Sequence, residues 1–136
     1  MTPEKQDDLF DRYPELFSNA RNQESREPIA WGITCGDGWF SLIDSLCAYL
    51  MKLQEREKNE KPIRVVQIKE KFGTLRFYVM GVPAREDKLN PYYSVIHFAE
   101  QLSATICEEC GNAGALREGG WWRTLCDPCE MARGAR

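Results

Sequence analysis

The cysteines carry the most specific chemistry in this 136-residue chain, because four of its six fall into two pairs with the same internal spacing. Cys107-Glu108-Glu109-Cys110 and Cys126-Asp127-Pro128-Cys129 each turn two sulfurs toward one point, and two such pairs complete a closed tetrahedral shell around a zinc ion. Gly111 supplies the backbone freedom that a knuckle of this kind uses. Four thiolates leave no open position for water, so the expected ion is a single structural zinc. Redox cycling of a Cys-x-x-Cys pair is the competing chemistry. It would need a thioredoxin-like βαβ setting, and two pairs at ribbon spacing fit metal better.

The other candidates for chemistry are weaker. His97-Phe98-Ala99-Glu100 before Cys107 partly matches the zinc deaminase signature, but the acid stands three residues after the histidine and no proline precedes Cys107. A single histidine is too few for an HNH-type nuclease, and Ser or Cys nucleophiles lack a basic partner. Glu70, Asp37 and Asp44 could bind magnesium, although their spacing fits a cap and ordinary strand or helix carboxylates equally well. Gly36-Asp37-Gly38 lacks the residues that would make a phosphate cradle. Cys35 and Cys47 read as buried free thiols, and His97 as a helix residue near the surface. The expectation is a binding protein, with no catalytic residues assigned.

Composition bounds what must position the cysteines. A hydrophobic content of 43% suffices for one core with a small appendage. No apolar run approaches the roughly 18 residues of a spanning helix, and the polar N-terminus is unlike a signal peptide, so the expected location is the cytosol. A net charge of −3 argues against a general nucleic-acid coat. The stretch 1–30 is acidic, whereas the bases Lys69, Lys71 and Arg76 belong to a locally basic middle region.

The apolar pattern predicts a short helix carrying Leu9, Phe10, Tyr13, Leu16 and Phe17 and interrupted near Pro14. A turn-rich loop follows over 31–39, with Asp37 placed to cap a main core helix whose stripe is Phe40, Ile43, Leu46, Cys47, Leu50 and Leu53. From Ile63 the period becomes two. Val66, Ile68 and Phe72 then share one face of a strand, Leu75, Phe77 and Val79 one face of the next, and Gly73 forms the turn. Glu70 falls on the apolar side, as a strand-end carboxylate or the sign of a bulge. Residues 81–90 read as a loop. Asn90 and Pro91 begin another helix with Tyr92, Val95, Ile96, Ala99, Leu102 and Ile106 inward. In the ribbon, Ala115–Arg117 and Trp121–Leu125 are expected strands around a Glu118-Gly119-Gly120 turn. The fold class is α+β: helices on a small antiparallel sheet, with an α+β body over 1–106 and a four-cysteine zinc ribbon over 107–136.

Three stretches together, Trp31-Gly32-Ile33-Thr34-Cys35-Gly36-Asp37-Gly38-Trp39, Val66 to Tyr78, and the knuckles around Trp121-Trp122-Arg123-Thr124-Leu125-Cys126, resemble a family of small zinc-ribbon proteins encoded by tailed phages and prophages. The similarity runs from about Tyr13 to Cys129. The family carries no established activity, so the resemblance implies a phage setting and a zinc ribbon but no reaction. In that setting the leading expectation is an accessory protein, host- or defence-directed, that binds a host or phage protein in the host cytoplasm. The alternative is a nucleic-acid-binding ribbon protein that contacts DNA or RNA through Lys69, Lys71, Arg76 and Tyr78, with Trp121, Trp122 and Arg123 at its tip. For the two tryptophans, packing of the ribbon onto the body is the favoured reading over exposure. A magnesium-dependent nuclease using Glu70 is a distant third.

Overall fold

A stripe of apolar residues at spacings of three and four makes α2 (Phe40–Glu57) the centre of the protein, with Ile43, Leu46, Cys47, Leu50 and Leu53 all buried. This computed structural model describes residues 1–85 and 89–134. The helix stops where Lys58 adopts a left-handed conformation and its N–H returns to the carbonyls of Gln54 and Glu55. Before it, α1 (Pro3–Arg12) ends ahead of Pro14, and Leu16 and Phe17 reach the core from the following turns.

Strands β1 (Arg64–Lys71) and β2 (Thr74–Met80) form an antiparallel hairpin. A bulge between Val65 and Gln67 resets the pleat, so Val65 and Ile68 are the buried pair and Val66 is half-buried. This corrects the simple alternation expected from Ile63. Phe72 is corrected as well: it leaves the apolar face for the turn, at φ +53°, and is 65% exposed. With Gly73 at φ +78°, the two residues make the left-handed pair that matches the twist of a tight hairpin. Leu75 and Phe77 face the core as expected.

Both sheet edges are covered, which blocks pairing with another chain. Along β1, the Thr34 N–H donates to the Ile68 carbonyl at 3.0 Å and the Thr34 carbonyl accepts from the Glu70 N–H at 3.0 Å. Along β2, the free N–H groups of Leu75 and Phe77 donate to Ser103 Oγ at 2.8 Å and Glu100 Oε1 at 3.0 Å, both from α3 (Pro91–Ser103). Asn90 caps α3 through the Tyr92 N–H, as expected. Ser103 takes the buried position there, while Leu102 is 37% exposed.

The C-terminal region adds β3 (Ala115–Arg117), β4 (Arg123–Leu125) and α4 (Asp127–Gly134). The expected second strand is shorter than its sequence suggests, because Trp121 and Trp122 lie in the connection before it. Helix α4 is an addition to the expected elements, although Pro128 just after Asp127 is a start signal. The architecture is therefore α+β, with a small cysteine-bearing ribbon on a helix-and-hairpin body. Among the described residues no helix is long and apolar enough to cross a membrane.

Candidate functional site

Two local devices bring the cysteines together. In the first knuckle the Cys107 N–H donates to the Asn112 carbonyl at 2.7 Å, and the Gly111 N–H donates back to Cys107 O at 2.9 Å. In the second, Cys126 ends β4 and Cys129 sits on the first turn of α4, whose Glu130 N–H donates to the Cys126 carbonyl at 3.0 Å. The four sulfurs all lie within 4.8 Å of one another and could hold a metal ion. Among the described residues they are the group of His, Cys, Asp and Glu that converges in this way.

The local field favours a thiolate at Cys107. Burial opposes its ionisation, but the N–H groups of Cys126, Cys110 and Glu109 outweigh that and bring the thiol down to about 7. Cys129 is pushed the other way by the neighbouring sulfurs of Cys126 and Cys110, so sulfur crowding opposes its ionisation.

The ribbon is seated on the body by hydrogen bonds that each use a main-chain group. The Gly38 N–H donates to the Glu108 carbonyl at 2.7 Å, the Gly36 N–H to Glu108 Oε1 at 2.9 Å, and Trp39 Nε1 to the Ile106 carbonyl at 2.9 Å. A Cβ on Gly38 would stand 2.1 Å from Cys107 O and 2.5 Å from Gly111 N. The loop over 36–38 is therefore the socket of the first knuckle, and glycine is needed because main chain meets main chain. A second seat lies at the hairpin turn, where Thr124 Oγ1 donates to the Gly73 carbonyl at 2.6 Å.

Glu108 ties these contacts together and was missed from the sequence. It is 3% exposed, its N–H donates to Thr124 O at 2.9 Å, and its Oε2 accepts Arg123 Nε at 3.1 Å. A residue between two knuckle cysteines ordinarily faces water, so only its pairing with Arg123 could have signalled burial. Arg123 in turn donates to Glu109 Oε1 at 2.6 Å. The guanidinium expected at a ligand-contacting tip is thus engaged by two carboxylates of the first knuckle.

The two seats leave an open groove between the hairpin turn and the ribbon tip, with a cavity volume of about 780 Å³. Lys69, Glu70, Lys71 and Phe72 form one wall, and Gly119, Gly120, Trp121 and Trp122 the other. Trp121 and Trp122 are 66% and 44% exposed, against the expectation that they pack the ribbon onto the body. Two edge contacts reach the body: Trp121 Nε1 donates to Glu70 Oε2 at 3.3 Å, and the Trp122 ring meets Phe72 edge-on with centroids 6.5 Å apart. Glu70 Oε1 accepts the Gly73 N–H at 2.7 Å, so this strand-end carboxylate braces the turn and the tip together.

Of the other predicted surface residues, Arg76 pairs with Lys69 across the hairpin and donates to Thr74 Oγ1 and Leu75 O. Tyr78 pairs with Gln67, and its ring lies under the Lys69 ammonium at 5.8 Å. The candidate magnesium carboxylates do not meet. Asp37 accepts from Thr2 N at 2.7 Å and Thr2 Oγ1 at 3.0 Å, which ties down the start of α1 and replaces its expected role as a cap of α2. Asp44 accepts Tyr13 Oη at 2.7 Å and pairs with Arg12. His97 is exposed on α3. Cys35 and Cys47 are buried, and burial pushes the Cys35 thiol up to about 12 and Cys47 upward as well.

No known family matches this chain, and no curated protein or solved structure is similar to it.

Proposed function

We propose that the chain is a zinc-binding accessory protein that works by binding a macromolecular partner and not by catalysis, in the phage or prophage setting that its motifs suggest. The observation that carries the metal is the convergence of Cys107, Cys110, Cys126 and Cys129 within 4.8 Å. The sulfurs of Cys110 and Cys126 are 3.6 Å apart. That is close to the edge of about 3.8 Å that a tetrahedron with Zn–S bonds of about 2.3 Å requires. Zinc would neutralise the crowded thiolates and hold the two knuckles together, which a module with so small an apolar cluster needs.

A binding role is supported by the groove, whose ribbon wall lies in the β3–β4 connection between the two cysteine pairs. Its carboxylate, Glu70, is engaged by two N–H donors, and the thiols of Cys35 and Cys47 are buried and protonated. A host or phage protein and a nucleic acid are the two partner classes such a surface serves. Metal analysis of reduced protein together with a partner capture tests the reading: bound zinc with a partner lost when Trp121 and Trp122 are replaced supports it. Metal-free folded protein, or turnover of nucleic acid dependent on Glu70, contradicts it.

A further inference from the structure

The groove has three properties that separate its partner classes. Its rim presents the exposed rings of Phe72, Trp121 and Trp122, which offer flat apolar faces around one opening. Phe72 is held at φ +53°, where a bulky side chain is disfavoured and Asn or Gly would serve the turn better, so the ring is kept at the rim against a local cost. The third property is charge. The Lys71 ammonium lies 5.3 Å from the Phe72 ring centre and Lys69 lies over Tyr78, and among the described residues neither has a carboxylate within ion-pairing distance.

Rings interleaved with unpaired lysines match a chain of flat bases joined by phosphates. We infer that the groove binds single-stranded nucleic acid, with unstacked bases against Phe72, Trp121 and Trp122 and the adjoining phosphates against Lys69 and Lys71. A duplex keeps its base faces inside the stack and gains nothing from the rings. Arg76, beside Lys69 across the hairpin, extends the phosphate track along the sheet. The net charge of −3 gives the whole chain no attraction for phosphate, so affinity depends on this patch and on stacking. The inference rests on the reading above, because one wall of the groove is carried by the ribbon that the metal would hold.

The test is anisotropy titration of the full chain with labelled oligothymidylate, oligouridylate and a duplex of equal length, at low and physiological salt, with zinc content measured on the same preparation. Both single strands or one of them should bind more tightly than the duplex, and their relative strength separates DNA from RNA. Replacing Trp122 by alanine should weaken binding roughly tenfold, while Trp122→Phe keeps most of it. Replacing both Lys69 and Lys71 by alanine should lower the salt slope by about two phosphate contacts. No single-strand binding at low salt, equal binding of duplex, indifference to Trp122→Ala, or capture of an acidic peptide in the groove in place of the oligonucleotide overturns the inference. Stoichiometric zinc without oligonucleotide binding removes the groove assignment and leaves the metal centre. Groove-dependent binding by zinc-free protein does the reverse.

Discussion

Glu108 Oε1 accepts the N–H of Gly36 at 2.9 Å across 72 positions of chain, so the first knuckle and the glycine loop before α2 form one joint. The same glutamate is paired with Arg123 on β4, and the ribbon is thereby fixed both internally and to the body. Cysteine knuckle, glycine socket and ribbon strand are linked through this one side chain.

The socket has no room for a side chain. Gly38→Ala should cost about 3 kcal/mol, the upper range for overpacking, because its Cβ meets Cys107 O and Gly111 N and neither is a flexible side-chain end. Urea unfolding measures it, and wild-type stability in this variant would disprove the socket.

Removing the Glu108 carboxylate leaves Arg123 with only the exposed partner Glu109, and the Gly36 N–H with none. Glu108→Ala should cost about 3 kcal/mol, as breaking a buried pair does, with hydrogen exchange rising first at β4 and over 36–38. Uniform exchange across the protein would contradict the joint.

At the turn, stability and binding should separate. Phe72→Asn suits the left-handed backbone and gives up two exposed contacts, the edge contact with Trp122 and the Lys71 ammonium over the ring, so stability should hold or rise by up to about 1 kcal/mol. Oligonucleotide affinity should fall. A clear loss of thermal stability would mean that the ring supports the fold.

Acid should weaken the body through Glu27, whose carboxyl Arg64 and Asn19 hold below its ordinary value of 4.5. A depressed carboxylate contributes stability above its unfolded value, and that contribution is lost as pH falls through the lower folded one. Glu27→Gln should flatten the acid side of a stability curve measured by denaturant titration from neutral to strongly acidic pH. Parallel curves would show that the pair with Arg64 contributes nothing.

How much of this was legible in the sequence follows the range of the interactions. The stripe of α2, the Asn90 cap, the Gly73 turn and the convergence of the cysteine pairs depend on spacings of a few residues, and each is found where local pattern places it. Asp37 looked like a cap of α2 because the sequence shows only its neighbours, whereas its partner Thr2 comes from 35 positions away. The bulge at Val65 is set by pairing with β2, and a strict alternation could not reveal it. Trp121 and Trp122 depart from the compositional tendency of tryptophan toward burial, because they lie in the short connection of a two-stranded tip with little surface behind it. Glu108 was hidden by its position between two knuckle cysteines.

The central claim is that four sulfurs share one zinc ion and so hold the ribbon, with its half of the groove, on the body. Zinc quantification and X-ray absorption on reduced, full-length protein test it most directly. The account predicts one zinc per chain with four sulfurs at about 2.3 Å. Substoichiometric metal, a shell containing nitrogen or oxygen, or a ribbon that stays ordered after chelation would contradict it.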